Sequence, residues 1–124
     1  MGHFAFRIAG MLAVVGIGVL SLVPGTARPH VLGPGGLEHL TAYFIAAVLL
    51  GIGFLDSSTS RSDSSTALGI SFLLTGYGGI LEAAQLFVPG RTPAMLDWFA
   101  SSLGAWLGIG FALLLRGPAR RALR

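Results

Sequence analysis

The sequence predicts an all-α integral membrane protein of four transmembrane helices, and three observations predict it. Only 10% of the residues are charged while 53% are apolar, against about 25% charged in a soluble domain. The mean hydropathy is +0.78. Four separate stretches reach the about 20 predominantly apolar residues that a helix needs to cross the hydrocarbon core. The segments between them are made of turn formers or of small hydroxylated and charged residues. At 124 residues the chain is one domain, 1–124.

The first span runs from Phe4 to Val23 and is stopped by Pro24-Gly25. The following loop, PGTARPHVLGPGG, holds three prolines and four glycines in thirteen residues and is irregular. The second span runs from Leu37 to Leu55. DSSTSRSDSST then reads as a solvated linker, since it contains no apolar residue. The third span covers Thr66 to Val88 and the fourth Pro93 to Leu115, after which Arg116-Gly117-Pro118 opens a basic C-terminal tail, 116–124.

The composition also excludes function classes. There is no cysteine, so disulfides and thiolate metal sites are excluded. The net charge of +3 does not point to nucleic acid, because half of the eight arginines (Arg116, Arg120, Arg121 and Arg124) lie in the last nine residues, as a cytoplasmic anchor. With both termini inside, six arginines fall on the cytoplasmic side and two, Arg28 and Arg91, outside; the positive-inside rule therefore predicts N-in, C-in. A cleaved signal over residues 1–27 is the competing reading of the first span, with Gly25-Thr26-Ala27 as the cleavage site. Its apolar run is longer than the about 7–15 residues typical of a signal.

The third and fourth spans meet at a tight turn. Pro89-Gly90 forces it, Val88 before the proline is biased to extended backbone, and Thr92-Pro93 reads as an N-cap with proline at the first helical position. A turn this short makes the two helices antiparallel neighbours. Near its tip lie Glu82 and Gln85, on one face of the third helix, then Arg91, then Asp97 and Ser101, on one face of the fourth. In the predicted orientation Glu38, His39 and Tyr43, which open the second helix, fall at the same outer level. A carboxylate at the centre of a membrane helix costs about 2.5–3.5 kcal/mol, so this convergence marks a candidate polar site. Two stripes lead into it: Ser71, Thr75, Gly78, Glu82 and Gln85 on the third helix, and Asp97, Ser101, Gly104, Ala105, Gly108 and Ala112 on the fourth. Small residues at this spacing let helices approach closely in lipid.

Other chemistry has little support. Glu38, His39, Glu82 and Asp97 offer oxygen and nitrogen donors, but their spacing matches no metal motif, and neither metal nor cofactor is expected. Ser101 and Ser102 lack the His/Asp spacing of a nucleophile, and no glycine-rich phosphate loop is present.

The order Ser21-Leu22-Val23-Pro24, Glu38-His39 with Tyr43 one turn on, Glu82-x-x-Gln85, Pro89-Gly90-Arg91, and Asp97 leading to Gly104 resembles the VanZ-like family of small bacterial membrane proteins. The resemblance spans Ser21 to Gly108 and places the family pattern on His39, Glu82, Gln85, Arg91 and Asp97. Gly35-Gly36 stands where many members carry Asp-Lys, and Ser101 where many carry Asn. The family takes its name from an accessory protein of glycopeptide resistance. The resemblance therefore implies a multi-pass protein of the bacterial inner membrane acting in the cell envelope or in antibiotic tolerance. The expected role is non-enzymatic: binding of an envelope lipid, a precursor or a membrane-protein partner at the outer face. Arg91 would contact the anion, Glu82, Gln85 and Asp97 would orient it, and His39 would be a titratable donor. The rival from another class is an intramembrane enzyme on a lipid-linked substrate, with Glu82 or Asp97 as base and His39 as acid. A third is a small oligomeric transporter or scaffold subunit.

Overall fold

The structure is a computed structural model and describes residues 2–23, 35–55, 60–90 and 95–122. The described residues are almost all helical: α1 (Gly2–Leu22), α2 (Gly35–Phe54), α3 (Ser60–Ala84), a 3-10 turn (Gln85–Phe87) and α4 (Met95–Ala122). Each helix contains an apolar span of 19 to 24 residues, which at about 1.5 Å per residue matches the hydrocarbon thickness.

Two boundaries differ most from expectation. α3 begins at Ser60, inside the serine-rich segment read as linker. Serine is a mediocre helix former, but no proline or glycine interrupts the chain before Gly69, so the helix propagates outward from its apolar part. α4 runs on to Ala122, through Gly117-Pro118, where a tail was expected. Pro118 removes its own N–H from the helical ladder, and the helix continues past it for one turn. The apolar part of α4 stops at Leu115, as read from the sequence.

Helix directions follow from which residues touch. α2 and α4 run parallel and form the closest pair. Gly104 faces the Leu40 carbonyl, Gly108 the Phe44 carbonyl and Ala47, and Gly51 meets Ala112, so the contacts climb both helices together. Ala46, Ala47, Ala105 and Ala112 are all buried. Lipid tails are as apolar as leucine, so close packing of small residues takes the place of a hydrophobic driving force. α1 lies antiparallel to α2, with Gly10 against Leu50 and Gly53 against the Arg7 backbone. The Tyr77 hydroxyl donates to the Val14 carbonyl (2.8 Å) and ties α3 to α1. Thr75 ties α3 to α4 by two hydrogen bonds: Trp98 Nε1 donates to its carbonyl (3.0 Å) and Trp106 Nε1 to its Oγ1 (3.1 Å).

Large apolar side chains face outward, Leu73, Leu96, Phe99 and Leu114 among them, while the buried core is rich in alanine around Tyr43, Leu74 and Ile109. That inversion suits a bundle immersed in hydrocarbon. α1 is the most peripheral helix, and between it and α3 opens an apolar crevice of about 760 Å³, lined by Met11, Val14, Ile70, Leu73 and Tyr77. Both stripes read from the sequence turn inward: Ser71, Gly78, Gln85, Ser101, Gly104, Ala105, Gly108 and Ala112 are buried, and Thr75, Glu82 and Asp97 half-buried.

Candidate functional site

The start of α2, the end of α3 and the start of α4 meet at one end of the bundle. Asp97 lies in the first turn of α4 and Glu38 in that of α2, where a carboxylate is favoured by the helix dipole. One residue after Glu38, His39 turns inward and is 9% exposed. Glu82 reaches the same point from the last turn of α3. One ligand atom from each of His39, Glu82 and Asp97 lies within 4.8 Å of the others. Three of the predicted site residues are thus brought together, each from a different helix.

Ser101 organises this group. Its Oγ donates back to the Asp97 carbonyl (2.9 Å), so its single proton is committed. His39 Nδ1 lies 3.1 Å from the same Oγ and is therefore the donor in that bond. Nε2 then faces Asp97, 3.9 Å from Oδ2: an ion-pair separation when the ring carries both protons, but longer than a hydrogen bond. The Tyr43 hydroxyl, one turn deeper, lies beside Ser101 where both border Gly78.

Serine, histidine and aspartate in contact raise the question of nucleophilic catalysis, for which the sequence offers no spacing. The geometry argues against it. Ser101 is 2% exposed, its proton is given to a carbonyl, and the histidine nitrogen nearest to it is a donor rather than a base.

Comparisons with protein-family models, with curated proteins and with solved structures find no match. The remaining sequence-predicted residues are placed as follows. Gln85 is buried, but its Nε2 donates to the Ser21 carbonyl (3.1 Å) near the end of α1, which makes it a clasp between helices. Glu38 is half-buried beside His39. Arg91, with Thr92 and Pro93, lies outside the described residues. Just before it, Val88 is extended and Gly90 has φ 75°, in the left-handed region open to glycine.

Trp98 was not singled out from the sequence. Its ring packs over Gly78 and Gly79, and Gly78 also borders the Tyr43 hydroxyl and Ser101. Its sequence signal was the Gly78-Gly79 pair one turn before Glu82, a flat patch able to receive an indole.

Proposed function

We propose that this chain is a VanZ-like multi-pass protein of the bacterial cytoplasmic membrane, with both termini inside. In this reading it acts as a non-enzymatic accessory factor of the cell envelope or of glycopeptide-type antibiotic tolerance. The group at the start of α2 is its binding site, open at the outer face to an envelope lipid, a precursor or a membrane-protein partner. The observation carrying the reading is the meeting of His39, Glu82 and Asp97 from three helices. Ionisable side chains in membrane helices are costly and belong to sites or pathways far more often than to lipid-facing surfaces. A buried Ser101 with a committed proton favours binding over catalysis. Arg91, nine residues after Glu82, is the anion contact in this reading.

Purification in mild detergent followed by lipid mass spectrometry tests it. Wild-type protein should retain a lipid or precursor class that His39→Gln and Asp97→Asn proteins lose while keeping their helical circular dichroism. Equal retention by all three would remove the site. Orientation is tested separately with single cysteines at Gly33, Ser58 and Arg120. An impermeant thiol reagent should label the first from outside intact cells and neither of the others.

A further inference from the structure

We infer that His39, Glu82 and Asp97 form a binding site for a divalent first-row cation, Zn²⁺ or Mn²⁺, with Ser101 holding the histidine in its ligating orientation. The donor atoms come from α2, α3 and α4 and lie within 4.8 Å of one another. Around a cation with bonds of about 2.1 Å, neighbouring ligand atoms sit about 3–3.5 Å apart, so rotation of the Glu82 and Asp97 side chains by about an ångström closes the set.

The histidine is already set up as a ligand. Metal-binding imidazoles nearly always donate their second ring N–H to a protein acceptor, which fixes the tautomer and aims the other nitrogen at the metal. Here Nδ1 donates to Ser101 Oγ, which is pinned by its own bond to the Asp97 carbonyl. Nε2 is the nitrogen turned toward the Asp97 carboxylate. Ser101 therefore links two of the ligands, through the ring of one and the backbone of the other.

The donor chemistry points the same way. His39, Glu82 and Asp97 bring an imidazole and two carboxylates to one point. One imidazole with two carboxylates is a donor set of intermediate softness: the nitrogen disfavours Mg²⁺ and Ca²⁺, and the absence of thiolate disfavours Cu(I). Three protein ligands leave coordination positions open, where a phosphate or carboxylate of the ligand proposed above would enter. The cation site does not itself depend on that ligand.

The test uses the full chain in detergent, stripped with EDTA and titrated with Mn²⁺ while the free-ion electron paramagnetic resonance signal is followed. One Mn²⁺ per chain should bind and be displaced by Zn²⁺. Ser101→Ala should weaken binding about 10- to 100-fold, as loss of an orienting partner does elsewhere. His39→Ala, Glu82→Gln and Asp97→Asn should each weaken it further, with circular dichroism showing that the helices remain. Folded wild-type protein that binds no better than Glu82→Gln would overturn the site. So would binding gained only on Arg91→Gln, because the guanidinium would then be the native counter-charge. Binding equal to wild type in Ser101→Ala would overturn the orienting role. Cation binding without lipid retention upholds this site and removes the proposed ligand; lipid retention without cation binding does the reverse.

Discussion

The two ends of α2 receive similar side chains and use them differently. At its C-terminal end, Arg7 Nε donates to the Gly53 carbonyl (2.8 Å) and His3 Nδ1 to the Ile52 carbonyl (2.9 Å), while the guanidinium lies 4.8 Å above the Phe54 ring centre. These carbonyls are among the four that any helix leaves unpaired at its C-terminus. A cation placed there also answers the negative end of the dipole. At the other end, His39 meets a serine hydroxyl and a carboxylate instead of backbone. The lesson concerns partners rather than residue types. A polar side chain that satisfies a backbone group completes a helix, whereas polar side chains that gather around one another leave chemistry available for something else.

Mutations at the two ends sharpen the contrast. The largest effect is expected from Gly104→Leu, because the new side chain would enter the Leu40 backbone carbonyl, which cannot rotate away. It should cost at least the upper part of the about 1–3 kcal/mol typical of overpacking, read as a lower midpoint of thermal unfolding in detergent. Arg7→Ala should come next, at about 1.5–3 kcal/mol for a charge-assisted hydrogen bond, with ligand retention unchanged. Asp97→Asn should show the reverse pattern: under about 1 kcal/mol of stability, the scale of a first-turn dipole interaction, but loss of retention. If Arg7→Ala removed retention and Asp97→Asn only stability, the two ends would have to exchange roles. Gln85→Leu should cost about 0.5–1.5 kcal/mol, one net hydrogen bond, measured in the same unfolding assay. Phe99→Leu, on the outward face of α4, should stay within about 0.5 kcal/mol of wild type.

Much of this was legible in the sequence because the bilayer sets strict terms. Span length, the inward stripes on α3 and α4 and the turn at Pro89-Gly90 all follow from hydropathy, small-residue spacing and backbone chemistry. The convergence of His39, Glu82 and Asp97 followed from cost, since three such residues at one level need a common reason. Register between helices was not legible. Nothing along the chain states that His39 will meet Ser101, 62 residues away, or that Gln85 will reach back to Ser21 instead of joining Glu82. Arg7 shows the same limit: its charge placed it on the cytoplasmic side in the reading of orientation, but its service to the end of α2 depends on how α1 and α2 cross. The outward growth of α3 to Ser60 was missed because composition marks solvation, and solvated residues can still be helical.

The attachment of α4 to α3 has a spectroscopic consequence. Both tryptophans of the chain lie on α4, and both indole N–H groups bond to Thr75, one to its carbonyl and one to its hydroxyl. Unlabelled protein therefore carries two emitters on a single junction, and their wavelength reports whether those bonds are kept. A ligand that settles into a site already formed leaves the emission where it was. One that must first part α3 from α4 releases both indoles at once and announces itself as a shift in colour.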